Sequence, residues 1–241
     1  MKTAFYALRS TLLYLCIAIL SIIWVPLLYI GLAFPLKFRL RLIGVWSRLV
    51  AVLTCAICGI RYSVIGKDHL AAAAPGIIFC KHQSAWETLV LPSIIPLTSV
   101  ICKKELLYIP VFGWGMWTIQ PIAINRKEAL RAFKQVAKQG QQRLKRGLSI
   151  IVFPEGTRVP THTHPAFHKS GAALAKTTGY PVIPVAVNSG HVWPRKSFIK
   201  RPGHITLEFG PAISTTEHSI DEINSAAHTW IKATMERLEK V

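Results

Sequence analysis

A histidine and a glutamate that follow a short apolar run could work as an acid–base pair. Residues 76–80 are predicted to form a buried strand, and residues 81–87 then read KHQSAWE. Imidazole exchanges protons near neutral pH, so His82 at a strand end could take the proton of a hydroxyl group. In one continuous helix the side chains of His82 and Glu87 would point about 140° apart. They can therefore meet only if His82 lies in a turn and Glu87 in the first turn of a helix.

Two other interpretations of this segment stay open. Ser84 and Glu87 have the spacing of a capping box, in which the carboxylate satisfies a backbone donor and does no chemistry. Cys80 lies close to His82 and could be proposed as a nucleophile. Its place in an apolar strand predicts instead that it points into the core.

A second strand end carries groups that suit a phosphate. Residues 150–158 read IIVFPEGTR, which predicts an apolar strand followed by a sharp turn. The Arg158 guanidinium offers a fork for phosphate oxygens, Gly156 allows close backbone approach, and Thr157 adds a hydroxyl donor. Glu155 could orient a cation or a hydroxyl. The alternative is a solvated turn with an ion pair.

Histidines cluster after this turn at positions 162, 164 and 168. Imidazoles can bind metals, but no cysteine or acid joins them in the segment, and Pro160 and Pro165 indicate a loop. The sequence therefore predicts no metal, and nothing in it indicates a cofactor. The serine elbow of α/β-hydrolases, Gly-x-Ser-x-Gly, is absent.

The elements that position these groups follow an α/β pattern. From residue 61 onward, short apolar runs alternate with longer amphipathic ones, which predicts a mixed sheet flanked by helices. A helix is expected over residues 128–146, ended by Gly147, and another over 221–240 with a capping box at Ser219. Strands are expected at residues 62–65, 76–80, 99–102, 121–124, 148–153, 182–187 and 205–209.

The N-terminal part differs from the rest. Residues 10–36 carry no charged side chain. This run is long enough to cross a bilayer, which takes about 20 residues, and it is longer than the apolar part of a secretory signal peptide. A second apolar stretch, residues 42–60, contains Arg48 and a CxxC whose helical context favours structural cysteines. We therefore predict a membrane-associated helical hairpin over 1–60 and a second domain over 61–241. Spanning, re-entrant and interfacial arrangements of the hairpin all stay open.

The formal net charge of +18 predicts a polyanionic partner. Nucleic acid would leave the apolar N-terminal stretch without a role, so anionic membrane lipids and a phosphorylated substrate are favoured. Basic residues are more numerous after the first apolar run than before it, which predicts a domain on the cytoplasmic face of a membrane. Residues 193–201 mix aromatic and basic side chains and are expected to form a loop at the membrane surface.

Taken in order, these motifs resemble the 1-acylglycerol-3-phosphate acyltransferases, also called lysophosphatidic acid acyltransferases. That family's pattern has, in this order, His-x4-Asp, a Gly-rich stretch ending in Arg, Phe-Pro-Glu-Gly-Thr-Arg and a short apolar strand with Pro. The matching segments here are residues 82–87, 113–126, 153–158 and 182–185. Two positions depart from the pattern: Glu87 replaces the commoner Asp, and Asn125 stands where a carboxylate often precedes the Arg.

The resemblance implies transfer of an acyl chain from acyl-CoA or acyl carrier protein to the free hydroxyl of a lysophosphatidate. His82 would be the general base and Glu87 would orient it. Arg126, Glu155, Gly156 and Arg158 are the implied acceptor-binding positions, together with the Thr157 hydroxyl. Lys169 is added on physical grounds as a further phosphate contact.

Two alternatives to this function stay open. One is an acyltransferase for another acceptor, such as an amino-lipid or a lipid A precursor. The other is a non-catalytic, basic membrane-binding protein in which the His–Glu pair is only a helix cap.

Overall fold

The computed structural model describes residues 2–125 and 129–240. Within these ranges, seven strands form one sheet. The strands are β1 (Ile60–Ile65), β2 (Ile77–Cys80), β3 (Thr98–Lys103), β4 (Ile122–Ile124), β5 (Ser149–Val152), β6 (Val182–Val187) and β7 (Gly203–Phe209). The helices are α1 (Lys2–Ile30), α2 (Leu36–Cys58), α3 (Lys67–Ala73), α4 (Trp86–Ile94), α5 (Phe112–Thr118), α6 (Ala129–Lys145), α7 (Ser170–Thr178) and α8 (Ile220–Leu238).

The sheet is mixed, as the sequence predicts. Its order is β1-β7-β6-β2-β5-β3-β4, and every neighbouring pair is parallel except β6 with β7. The strands β6, β2, β5, β3 and β4 therefore run in one direction, and their carboxyl ends meet at the same edge. Loops that follow such strands are the usual place for a ligand site in an open α/β sheet.

The core lies on both faces of the sheet because successive strand residues point to opposite sides. On β2, Ile78 and Cys80 join the cluster that faces the hairpin and α4, whereas Ile77 and Phe79 join the cluster that faces α7 and α8. Cys80 is fully buried, as expected, and burial raises the pKa of its thiol well above the usual value. A thiol held in this state is a poor nucleophile.

Helices α6 and α8 lie where the sequence predicts them. The capping box of α8 is formed: Ser219 N–H donates to Glu222 Oε2 at 2.7 Å, and Glu222 N–H donates to Ser219 Oγ at 3.3 Å. Gly147, two residues beyond the end of α6, adopts φ +79°, which is the left-handed conformation that ends many helices.

Helices α1 and α2 form an antiparallel hairpin. The Arg9 Nε donates to the carbonyl of Ile57, and Trp24 Nε1 donates to the carbonyl of Leu42 at 3.1 Å, so α2 runs back along α1. Large apolar side chains along α1 are exposed: Phe5, Leu8, Leu12, Leu15, Ile19, Ile22, Ile23 and Ile30. Both helices are long and apolar enough to cross a membrane.

The ends of the two helices do not coincide with the ends of the two apolar stretches. Helix α1 ends at Ile30, inside the uncharged run, and α2 begins at Leu36 rather than near residue 42. Charged side chains in the first turns of α2 do not prevent the helix, because the Arg39 guanidinium folds back and donates to the carbonyls of Leu32 and Phe34 at 3.5 and 3.4 Å.

The hairpin packs against the rest of the chain. Leu13 and Ala51 belong to the same buried cluster as residues of β1, β2, β6 and β7. A single residue, Gly59, joins α2 to β1 with φ +69°, a conformation that favours glycine. The division between residues 60 and 61, and the way the hairpin meets a bilayer, stay predictions.

Candidate active site

His82 lies in the turn after β2, at the edge where the parallel strands end. Its backbone is held on both sides: the N–H donates to Glu155 Oε2 at 2.9 Å, and the carbonyl accepts from Val159 N–H at 2.8 Å. The imidazole stacks on Phe153 with ring centroids 3.9 Å apart. The side chain is 14% exposed, so one side of the ring is open to a substrate.

Glu87 lies in the first turn of α4 and faces the ring, which is the arrangement that the spacing requires. His82 Nδ1 and Glu87 Oε1 are 3.6 Å apart. The buried carboxylate also accepts shorter hydrogen bonds from four donors. Oε1 receives the N–H groups of Gln83 (2.6 Å) and Ser84 (2.9 Å), and Oε2 receives the hydroxyls of Ser84 (2.7 Å) and Ser189 (2.9 Å).

Glu87 accepts the backbone N–H of Ser84, as the capping interpretation expects, but Ser84 Oγ accepts from Trp86 N–H at 2.8 Å and the N-cap of α4 is Ala85, so the full capping box is not formed. Accepting this backbone donor does not prevent the carboxylate from facing His82. Burial by itself would raise the pKa of Glu87, but the contact with His82 and the hydrogen bonds from Ser84 outweigh it, so this pKa lies below its usual value. At neutral pH the group is a carboxylate. A fixed anion beside Nδ1 stabilises the imidazole when it takes up a proton at Nε2.

The turn after β5 lies beside the turn that carries His82. Glu155 is buried, forms an ion pair with Lys81 at 2.7 Å and supports the His82 backbone. Burial raises the pKa of Glu155, although the Lys81 charge opposes the change. Lys81 Nζ also donates to the carbonyl of Thr163 at 2.6 Å. This carboxylate is buried and faces the turn of His82.

The remaining residues of this turn are accessible. Gly156 has φ +70°, and a Cβ atom there would lie 3.0 Å from the His168 ring. Thr157 is exposed and Arg158 is half-buried. Burial, and to a smaller degree the charge of Arg158, lowers the pKa of Lys200 to about 8, although Cys58 opposes the change. The buried Lys200 ammonium is not offered to a ligand, because it donates to the carbonyls of Ser197 and Phe198 at 2.6 and 3.0 Å.

The structure does not place two of the predicted phosphate contacts in this cluster. Arg126 lies outside the described residues, which resume at Ala129. Lys169 is exposed and forms an ion pair with Asp221 at 2.7 Å. Within residues 2–125 and 129–240, no three histidine, cysteine or acidic side chains lie close enough to hold a metal ion.

Ser189 and Lys81 were not singled out from the sequence, yet both contact the motif carboxylates. Ser189 follows β6, and Lys81 follows β2, so both lie at the same edge of the sheet. A signal existed in principle, because polar residues directly after buried parallel strands gather at one edge. Serine and lysine are too common in turns for that signal to select them.

An apolar cavity opens beside Glu87 and Phe153 and extends between α1, α2, α5 and β3. Among the side chains that line it are Trp24, Leu28, Trp46, Leu97, Val100 and Met116. Two serine hydroxyls in its wall, those of Ser47 and Ser99, are buried without a hydrogen-bond partner among the described residues. The cavity places apolar surface next to the Glu87 carboxylate and the ring that stacks on His82.

Exposed aromatic residues surround the hairpin. Trp114 and Trp117 of α5 are each more than half exposed, and Trp117 stacks on Tyr29 of α1. In the 193–201 loop, Phe198 is exposed next to Tyr14, while Lys200 Nζ lies 4.9 Å from the centroid of the Trp193 ring. Aromatic side chains in such positions are common at lipid–water boundaries.

Comparisons with known proteins agree with these features. Residues 61–188 match the sequence profile of a family described as Acyltransferase. The chain is 38% identical to a 1-acyl-sn-glycerol-3-phosphate acyltransferase of Pseudomonas aeruginosa over 98% of its own length and 93% of that protein. A protein of the same name from Cocos nucifera is 27% identical, over 90% and 70% of the two chains.

A solved structure shares the fold. The crystal structure of the 1-acyl-sn-glycerophosphate (LPA) acyltransferase PlsC from Thermotoga maritima matches with a TM-score of 0.82 at 21% identity. The match covers 97% of this chain and 98% of that one, so it includes the N-terminal hairpin as well as the sheet.

Proposed function

The chain belongs to the 1-acyl-sn-glycerol-3-phosphate acyltransferase family, and we propose that it transfers an acyl chain from acyl-CoA or acyl carrier protein to the sn-2 hydroxyl of 1-acylglycerol-3-phosphate, giving phosphatidate. The observation that carries the proposal is the buried Glu87 carboxylate 3.6 Å from His82 Nδ1, beside an apolar cavity. Membership in an acyltransferase family argues against the alternative of a non-catalytic membrane-binding protein.

In the proposed reaction His82 is the general base. With Nδ1 facing Glu87, Nε2 removes the proton of the acceptor hydroxyl while the hydroxyl oxygen attacks the thioester carbonyl carbon. A new C–O bond forms, the C–S bond breaks, and the imidazolium returns its proton to the departing thiolate. The acceptor supplies the nucleophile, so no acyl-enzyme is formed and the gain comes from holding both substrates together.

Glu155 and Lys81 act on this reaction through the backbone. The Glu155 carboxylate fixes the His82 amide at 2.9 Å, and the buried Lys81 ammonium neutralises that carboxylate. We therefore assign Glu155 a positioning role in place of the acceptor contact that the resemblance implies.

The acceptor phosphate is proposed to bind at the turn after β5. Arg158 presents a guanidinium there, Gly156 leaves the backbone accessible, and the Thr157 hydroxyl is exposed. Arg126, which follows β4 in the sequence, would add a second guanidinium. We do not extend the phosphate site to Lys169, since its ammonium is paired with Asp221.

The acyl chain of the donor is proposed to lie in the apolar cavity. Its wall includes both Glu87 and Phe153, and Phe153 stacks on the catalytic imidazole. A chain that fills this space would bring its thioester to the ring of His82. Burial of methylene groups there would contribute about 0.8 kcal/mol each.

The domain is proposed to lie on the cytoplasmic face of a membrane. The exposed apolar row of α1 and the tryptophans at positions 114 and 117 suit the lipid boundary, and the charge of +18 suits anionic lipid headgroups. The basic residues that follow the first apolar run agree with this orientation.

The experiment follows thiol release by the detergent-purified protein, given an acyl-CoA or an acyl-carrier-protein thioester. Arms with lysophosphatidate, a lysolipid lacking the phosphate and a lipid A precursor identify the acceptor. His82→Ala should lose at least about 1000-fold in kcat. The matched control is His204→Ala, because His204 is an exposed histidine at the start of β7. Undiminished transfer by His82→Ala would remove the proposed base, and preference for another acceptor would remove the proposed substrate.

A further inference from the structure

A carboxylate at the far end of the chain is hydrogen-bonded to the loop that carries His82. Glu239 directly follows α8, and its side chain is 2% exposed. Its Oε1 accepts from Gln83 Nε2 at 2.6 Å, and its Oε2 accepts from the backbone N–H of His162 at 2.9 Å. The imidazole of His162 lies beside the same oxygen, with Nδ1 at 3.4 Å.

Gln83 connects this carboxylate to the reacting groups. Its backbone N–H donates to Glu87 Oε1 at 2.6 Å, and its side-chain Oε1 accepts from Gly190 N–H at 3.1 Å. Gly190 follows Ser189, whose hydroxyl donates to Glu87 Oε2. The Gln83 side chain therefore ties Glu239 to both segments that hold the Glu87 carboxylate, and Gln83 itself is fully buried.

Local folding gives no reason for an acid at position 239. The carbonyl end of a helix carries partial negative charge, so a carboxylate is unfavourable there. Burial away from water adds a further cost to the charged form. The two donors account for it, because Gln83 Nε2 and His162 N–H each need an acceptor and a carboxylate supplies one on each oxygen.

We propose that Glu239 is a positioning residue for the acyl transfer, acting through Gln83 to hold the turn of His82 and Glu87 in its reactive geometry. The inference rests on the proposed function. Glu239 does not line the apolar cavity, and its hydrogen bonds go to Gln83 and His162, so we expect it to act on the rate of the chemical step and not on substrate affinity.

The test exchanges the two side chains. In Glu239→Gln the new amide NH2 group faces one of the two donors, Gln83 Nε2 or His162 N–H. In Gln83→Glu the new carboxylate faces the carboxylate of Glu239. Each single variant should therefore lower kcat about tenfold, with both KM values within about twofold of the wild type.

The double exchange Q83E/E239Q restores the hydrogen bonds. The new amide at position 239 can donate to the new carboxylate at position 83, while the amide oxygen accepts from His162 N–H. The carboxylate at position 83 also accepts from Gly190 N–H, so each donor again meets an acceptor.

This double exchange should return kcat to within about threefold of the wild type. Glu236→Gln is the control, since Glu236 is an exposed acid on α8 that faces Lys232 at 3.9 Å, and this change should leave kcat unaltered. Thermal melts of all variants are recorded alongside.

Two results overturn the proposal: a Glu239→Gln variant with wild-type kcat, or a double variant no faster than the slower single one. If a single variant does not fold, the double exchange compared with the wild type decides, because it retains all the hydrogen bonds. Absence of lysophosphatidate acylation by the wild type would instead refute the proposed function. The two failures are thus distinguishable.

Discussion

His82 and Glu87 approach each other across a turn, with Nδ1 and Oε1 3.6 Å apart, while the same carboxylate accepts shorter hydrogen bonds from four neighbouring donors. Donors other than His82 therefore hold the carboxylate in place. Its position does not depend on the imidazole, which packs against an acceptor that is already fixed. Such preorganisation avoids ordering the pair during the reaction.

Two replacements of Glu87 distinguish the effect of its charge from the effect of its side-chain shape. Glu87→Gln should lower kcat about 100-fold, because the neutral amide loses the anion beside Nδ1 and turns its NH2 group toward donors. Glu87→Asp keeps the charge and should retain more activity than Glu87→Gln. Steady-state kinetics with lysophosphatidate measures both. Normal kcat in Glu87→Gln with a lower melting temperature would leave the carboxylate only its capping role.

Removing Lys81 should destabilise the protein strongly. In Lys81→Met the Glu155 carboxylate is left buried without its cation, which costs about 3–5 kcal/mol of unfolding free energy. Denaturant unfolding in detergent measures this loss. Lys169→Met is the comparison, since it breaks the exposed pair with Asp221 and should cost less than about 1 kcal/mol. Equal losses of unfolding free energy in the two variants would show that Lys81 is not needed to neutralise the buried Glu155 carboxylate.

Filling the apolar cavity should change the preferred donor. Met116 lines its wall, and Met116→Trp should lower kcat/KM for long-chain thioesters about tenfold relative to short ones. Competition between thioesters of rising chain length measures the ratio. Met116→Leu, which nearly conserves volume, should leave it unaltered. An unchanged profile in Met116→Trp would place the acyl chain elsewhere.

Lys200 predicts a specific pH dependence of stability. Its pKa in the folded protein is about 8, below that of an unfolded lysine at about 10.4. Between these values the unfolded chain binds more protons, so this group makes the unfolding free energy rise with pH. The stability of the wild type relative to Lys200→Met should therefore increase from about pH 8 to about pH 10. The exposed Lys196→Met should show no such trend.

Most of the sheet could be predicted from the sequence, because each strand is a short apolar run bounded by Gly, Pro or polar residues. The His82 turn and the position of Glu87 could be predicted too, since helix periodicity leaves one way for the two side chains to meet. The ion pair of Glu155 with Lys81 could not be predicted from the sequence, because it depends on β2 and β5 being neighbours in the sheet. The same holds for Glu239, whose partner Gln83 lies far away in the sequence.

The start of α2 could not be predicted either, for a different reason. Charged residues at positions 37, 39 and 41 look like the end of an apolar segment, yet Arg39 is buried because the carbonyls of the preceding turn accept its N–H groups. Backbone acceptors of this kind become visible only once the chain direction reverses at residues 31–35.

The single glycine between α2 and β1 has a practical meaning for anyone who wishes to crystallise a shortened protein. No linker separates the hairpin from the sheet, and Leu13 and Ala51 pack among the strands. Deleting the first 58 residues would therefore expose one apolar face of the sheet and remove much of the wall of the apolar cavity. Such a fragment should precipitate rather than dissolve. The helices that are apolar enough to enter a membrane are therefore also needed for the sheet to stay folded.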